Sequence, residues 1–316
     1  MFKNCTSLTN RNSLFATTLA KGCYAGMFEG CSSLLSMESL PAATLKDNCY
    51  EKMFKDCTSL KNISTLDNAT TLASSCYANM FEGCTSLTDA PKLPSSKALQ
   101  YCYANMFAGC TSLTGAPELP ATELAPYCYK NMFEGCTSLT TVATLSATKL
   151  YPYCYKNMFK NCASLTNAPE LLATTLTGYC YESMFEGCSS LNNIPTLSAW
   201  TLSHSCYKYM FKDCINLTSA PKRLASILIN YCYAGMFEGC SSLISIPDFT
   251  EVTDLAVGSL SSMFAGCTSL TKAPKLPTTT LSSYCYESMF KDCTSLTDAP
   301  ELPATELAPY CYKNMF

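Results

Sequence analysis

The stretch Cys110-TSLTGAPELPATELAPY-Cys128-YKNMFEG-Cys136 decides how this chain is read, because it is one cycle of a pattern that runs from the first residue to the last. Its Met132-Phe133 pair recurs at Met1, Met27, Met53, Met80, Met106, Met158, Met184, Met210, Met236, Met263, Met289 and Met315, in steps of 26 residues except two of 27. A fixed period of this size is the signature of a solenoid, in which each unit buries its apolar side only by stacking on its neighbours. Burying about nine side chains per unit, at ~1.5–3 kcal/mol each, does not offset ~1–2 kcal/mol of backbone entropy for each of the unit's residues. One unit alone therefore does not fold, and the array is the folding entity.

Within the quoted unit, Cys110, Leu113, Ala116 and Leu119 fall at every third position, which suits a narrow coil turning its side chains inward. Leu124, Cys128, Met132, Phe133 and Cys136 follow at a spacing near four, which predicts a short amphipathic helix. Prolines sharpen the division. Pro91, Pro117, Pro169, Pro221, Pro274 and Pro300 share one repeat position, and Pro94, Pro120, Pro277 and Pro303 share another. Proline donates no ladder hydrogen bond, so the strand is expected over three to five residues around Ser-Leu-Thr, ending where the prolines begin. The expected fold is an α/β repeat solenoid of about 12 units, right-handed, with short parallel strands on one side and short helices on the other. Residues 1–316 read as a single uninterrupted array. The pattern is in phase at both ends without a polar cap, so a segment of a longer protein is expected.

The string Gly-Cys-Thr-Ser-Leu-Thr, as at 109–114, with a Phe preceding it and an x-Leu-Pro segment following, resembles the BspA-like leucine-rich repeats of bacterial and protist surface proteins. Their approximate pattern is A-F-x-x-C-x-x-L-x-x-I-x-L-P. Here Met replaces the Ala, as in Met132-Phe133, and Ala116 or Ile194 fills the Ile slot. Tyr-Cys-Tyr stands where that family has a buried aliphatic followed by Gly. The resemblance implies an extracellular or cell-surface location and adhesion to a protein or glycan ligand on host or microbial surfaces.

The 23 cysteines lie in two phases, four residues before each Met (Cys23, Cys49 and on to Cys311) and four after it (Cys5, Cys31 and on to Cys293). The spacing is C-x7-C, never C-x-x-C, and His204 is the one histidine, so neither a metal site nor a cofactor is expected. If the C-x7-C stretch were helical its sulfurs would start ~12 Å apart along the axis, beyond the reach of a disulfide. Two readings stand: ladders of buried thiols acting as small hydrophobes, or bridges across the coil such as Cys110 to Cys128. Ser259 replaces one first-phase Cys.

Two residues after each Met, the column Lys3, Glu29, Lys55, Glu82, Ala108, Glu134, Lys160, Glu186, Lys212, Glu238, Ala265 and Lys291 never places like charges in adjacent units. It predicts an inter-repeat charge ladder, worth a few tenths of a kcal/mol per pair and useful for register. Glu or Ala precedes Gly in the next slot, and Lys precedes Asn or Asp. The unchanging Phe column, Phe28, Phe54, Phe81, Phe107, Phe133, Phe159, Phe185, Phe211 and Phe237, is expected to pin the core. Tyrosines flank the first-phase Cys on both sides. Tyr103, Tyr129, Tyr155, Tyr181, Tyr207 and Tyr233 are candidates for a binding surface, with rings that stack on sugars or anchor a partner; sealing of the coil by Tyr stacked on Tyr is the competing role.

A net charge of -3 removes the basic footprint of a nucleic-acid binder, and no apolar run approaches the ~20 residues of a membrane span. No Gly-x-Ser-x-Gly, phosphate-binding loop or matched carboxylate pair is present, so catalytic residues are not expected and the chain reads as a non-enzymatic binding protein. The alternative is a structural stalk or self-associating filament of stacked repeats.

Overall fold

A computed structural model describes the chain except residues 12–13, 38–39, 64–65, 67, 95–96 and 143. The chain forms two compact units, Met1–Leu165 and Thr166–Phe316. Each is a stack of coils one repeat long. In the first unit, β1 (Asn10–Arg11), β2 (Ser36–Met37) and β3 (Asn62–Ile63) pair in parallel in that order, with Asn10 opposite Ser36 and Ser36 opposite Asn62. Later coils reduce the strand to single parallel bridges such as Asp89 to Gly115 and Gly115 to Thr141. The cause is visible in sequence: Pro91 and Pro117 follow two residues after the bridging position and remove the next ladder donor, whereas the first three coils carry no proline there.

The expected helices are absent among the described residues. From Lys21 to Cys31 the backbone is a ribbon of consecutive tight turns with a left-handed residue at every fourth position, Gly22, Gly26 and Gly30. Amides alternate in their use. Cys23, Ala25, Met27, Glu29 and Cys31 donate three residues back within the coil, to Ala20, Gly22, Tyr24, Gly26 and Phe28. Gly22, Tyr24, Gly26, Phe28 and Gly30 donate instead to Asp47, Cys49, Glu51, Met53 and Lys55 of the next coil. A helix would spend every amide on the fourth residue back and bind no neighbour this way. The spacing near four of the apolar side chains is thus the period of the turn ribbon, and the same pattern returns at 48/52/56, 75/79/83 and 101/105/109.

The third left-handed slot holds only Gly, Asn or Asp, from Asn4 to Asp292. These residues tolerate positive φ best. A side chain there lies over the equivalent residue of the following coil: a Cβ added to Gly30, Gly83 or Gly239 would meet the carboxamide or carboxylate oxygen of Asn4, Asp56 or Asp213. That is why Asn or Asp is followed by Gly one coil later, and it accounts for the two alternating flavours of unit.

The core is a set of columns. Phe28, Phe54, Phe81, Phe107 and Phe133 are fully buried and stack nearly parallel, with centroids 5.5–5.7 Å apart from Phe28 to Phe133. Phe185, Phe211 and Phe237 continue the pattern in the second unit at 5.6 Å, and Phe159 stacks on Phe133 in the first. Centroids farther apart than the ~4.8 Å strand spacing mean offset stacking, the favoured arrangement for rings. In the coil holding Cys240, Leu260 takes the slot of the buried Tyr, and Phe249, buried in a slot that holds Leu224 and Leu276 elsewhere, packs edge-on against Phe264 at 6.4 Å. A ring is lost at one core position and gained at another in the same coil.

All 23 cysteines are free thiols. The reason is specific in the second phase. The Phe28 carbonyl accepts the Cys31 amide within its coil and the Cys57 thiol from the next, at 3.0 Å; Cys84, Cys110 and Cys136 repeat this with Phe54, Phe81 and Phe107 at 3.0–3.1 Å. Each sulfur is thus a buried donor serving one carbonyl's spare lone pair, not half of a bridge. Burial drives the Cys57 and Cys136 thiols up to about 12.

Candidate functional site

The tyrosines divide by which side of Cys they stand on. Those after it, Tyr103, Tyr129, Tyr155, Tyr181, Tyr207 and Tyr233, are 1–2% exposed. The stack Tyr24, Tyr50, Tyr77, Tyr103, Tyr129, Tyr155 runs through the first unit at 5.6–5.9 Å, and Tyr181, Tyr207, Tyr233 through part of the second at 5.8 and 5.4 Å. Burial raises the hydroxyls of Tyr103, Tyr129 and Tyr207 well above the ordinary range. The six proposed contact tyrosines therefore line the core and offer no surface. The sealing role is theirs.

The outward rings are those before the Cys. Tyr101, Tyr127 and Tyr153 stack face to face with centroids 4.5 and 4.6 Å apart, and Tyr284 and Tyr310 do so at 5.0 Å in the second unit. Tyr101 and Tyr310 are exposed, Tyr127 and Tyr153 half-buried. All of them occupy the first left-handed slot, with φ of 55–61°. A side-chain-bearing residue pays about 1–2 kcal/mol for that region. Gly22, Asn48, Ser75, Ser205 and Gly258 fill the same slot without a ring, so the fold does not require one there.

Lysines accompany these rings. Lys130 Nζ lies 6.0 Å from the centre of Tyr127, and Lys156 Nζ 5.7 Å from that of Tyr153, within cation–π range. Asn105 and Asn131 form the adjacent column, Asn131 donating to Asn105 at 2.7 Å. In the second unit, Lys208 and Lys212 each sit 5.1 Å from Tyr209.

The charge column closes Lys3 on Glu29 at 3.0 Å, Lys55 on Glu82 at 2.9 Å and Lys212 on Glu238 at 2.6 Å, in each case with the lysine one coil before the glutamate. Burial would lower Lys212, but the hydrogen bond and charge of Glu238 outweigh it and raise it. Glu134, Lys160 and Glu186 belong to the same column. On the strand side of the second unit, Trp200 stands exposed with the Arg223 guanidinium 5.7 Å over its ring, and Arg223 is held by Glu251 at 2.9 and 3.0 Å. His204 packs edge-on against Tyr179 at 4.7 Å. No group of three or more metal-ligating side chains is arranged to hold an ion among the described residues, and no helix there is long and apolar enough to cross a membrane.

The tyrosine column put forward from the sequence lies in the core, and the exposed rings belong to the other column. The signal separating the two tyrosine columns is what replaces Tyr: Gly, Asn and Ser in the outer one, and only Leu260 in the inner. Small polar replacements mark a left-handed surface slot, and a large apolar one marks the core.

The solved structure of a leucine-rich repeat protein from Bacteroides ovatus ATCC 8483 is similar over 99% of this chain and 78% of its own, at 19% identity and a TM-score of 0.59, which shows the fold. A leucine rich cell surface protein from Faecalibacterium prausnitzii A2-165 aligns over 92% of this chain and 82% of its own, at 17% identity and a TM-score of 0.45. Comparison with curated proteins finds no match. The BspA type leucine rich repeat region (6 copies) matches residues 1–114, 78–192, 119–244 and 155–297. With all but the last of its coils covered by that match, the chain belongs to the BspA-type leucine-rich-repeat family.

Proposed function

We propose that the chain is a non-enzymatic binding protein of the cell surface or extracellular space that adheres to protein or glycan ligands through the outward tyrosines of its turn ribbon. The observation that carries this reading is the occupation of a left-handed slot by Tyr101, Tyr127 and Tyr153, where the same chain uses Gly, Asn or Ser at no cost to its fold. Rings with a polar tip, held rigid by stacking, contribute contact area while losing little side-chain freedom on binding. The leucine-rich-repeat family assignment supports a recognition role, and the cell-surface location rests on the same family.

The test is an array of glycans and matrix proteins probed with the chain and with a variant carrying Tyr101→Ser, Tyr127→Ser and Tyr153→Ser. Ligands bound by the parent and lost by the variant are the expected result. A blank array, with light scattering showing the chain polymerising alone, overturns adhesion in favour of a structural stalk or filament.

A further inference from the structure

We infer that the outer strip of the first unit, built on Tyr101, Tyr127, Tyr153, Lys130 and Lys156, is a docking surface for an acidic polysaccharide lying along the stacking direction. This rests on the reading of the outward tyrosines as a contact surface and names the ligand class they take.

Charge is the first argument. The chain as a whole is acidic, at -3, yet the ribbons of the coils at 125–135 and 151–161 carry Lys130, Lys156 and Lys160 against Glu134, before Glu182 and Glu186 follow in the next ribbon. Lys130 and Lys156 also occupy the same column in adjacent coils, each beside its own coil's outward ring. The neighbouring charge column never sets two like charges together in this way. Like charges one coil apart oppose folding slightly, and a bound polyanion reverses that sign.

Repeat length is the second. The rings recur every 4.5–4.6 Å, and the lysines and Asn105, Asn131 and Asn157 recur coil by coil with them. An extended peptide presents same-side groups every ~6.6–6.8 Å and falls out of step within two coils. The coil repeat is comparable with the length of one pyranose unit in an extended polysaccharide, so each coil meets one sugar. The chemistry also fits. Stacked rings show their edges outward, and the ammonium groups meet one carboxylate per unit.

The experiment measures binding of the full chain to polygalacturonate oligomers by calorimetry at low and raised salt. Fully methyl-esterified polygalacturonate and poly-L-glutamate of equal length serve as comparisons. Expected are saturable binding of polygalacturonate, at least tenfold weaker binding of the ester and of poly-L-glutamate, and a steep fall with salt. Lys130→Gln with Lys156→Gln is expected to weaken polygalacturonate tenfold or more and flatten the salt dependence. The triple Tyr→Ser variant, which keeps its fold because Ser75 and Ser205 hold the same slot, is expected to weaken it similarly. Equal binding of the ester overturns the acidic class while leaving the contact surface standing. Preference for poly-L-glutamate overturns the polysaccharide in favour of a peptide. Unchanged affinity in the triple variant removes the strip from the site, and with it the contact surface for this ligand. No binding of any probe overturns this inference, and the array with the triple variant then judges the contact surface separately.

Discussion

At the residue scale, small differences in what lies overhead decide tolerance. Gly239 and Gly135 share a φ near 74°, but a Cβ at Gly239 would collide with the Asp213 carboxylate, whereas at Gly135 it reaches only Gly109 backbone at 3.8 Å. Gly135→Ala is therefore expected to cost about 1–2 kcal/mol for conformation alone, and Gly239→Ala more, with Asp213→Gly restoring most of the difference. Urea midpoints of the three variants check this; equal costs for the two glycines would contradict it. The two tyrosine columns make a parallel pair. Tyr129→Asn is expected to cost about 3–5 kcal/mol through loss of a buried ring, and Tyr127→Asn less than about 1, because Asn relieves the left-handed backbone as it loses the stack. Ser259 offers the converse. It is fully buried, its hydroxyl has no partner, and Cys fills that slot in the other coils, so Ser259→Cys is expected to stabilise by about 1–2 kcal/mol.

At the element scale, the solenoid and the Phe column were legible, because period and invariance are properties of sequence, whereas the strand expected over three to five residues around Ser-Leu-Thr is two residues or a single bridge just past it. The helix was misread for an equally definite reason. Cys128, Met132 and Cys136 recur at four, and so do the left-handed turns at Tyr127, Asn131 and Gly135, so periodicity alone does not separate helix from ribbon. The filling of one slot by Gly, Asn or Asp throughout was the distinguishing mark, since a helix interior disfavours all three. Far-UV circular dichroism is expected to show no helical double minimum, and a helical spectrum would refute the ribbon. The sulfur ladders follow from the same element. Native alkylation is expected to label Cys5 and Cys23 promptly and the rest only on unfolding, since these two alone are exposed. Prompt labelling of Cys110 or Cys136 would contradict their role as buried donors.

At the scale of the whole molecule, the thiols act together. Their ordinary value is 9.0, and burial lifts Cys49, Cys285 and Cys293 to about 11 and Cys76, Cys154, Cys206 and Cys240 to about 12. Below 9 both folded and unfolded chains keep these protons, and the stability is fully present. Above 9 the unfolded chain ionises first, so stability falls as pH rises toward 11–12, by up to ~1.4 kcal/mol per pH unit for each thiol. Against a total of ~5–15 kcal/mol a handful of thiols suffices, and cooperative unfolding is expected within one to two pH units above 9. A denaturation midpoint unchanged between pH 9 and 11 would contradict this. The turn ribbon has a further consequence. Its inter-coil bonds all run in one sense, with the N–H of each coil aimed at the carbonyl of the next, as from Gly22 to Asp47 and from Asn48 to Ser74. Peptide dipoles so aligned add up as they do in a helix, but along the stacking direction of each unit and with the positive pole toward its later coils. The Lys-to-Glu pairs at Lys3, Lys55 and Lys212 point their own dipoles the opposite way beside it. Antiparallel dipoles side by side attract, so the ion pairs neutralise a field that the backbone of the ribbon would otherwise build up coil by coil.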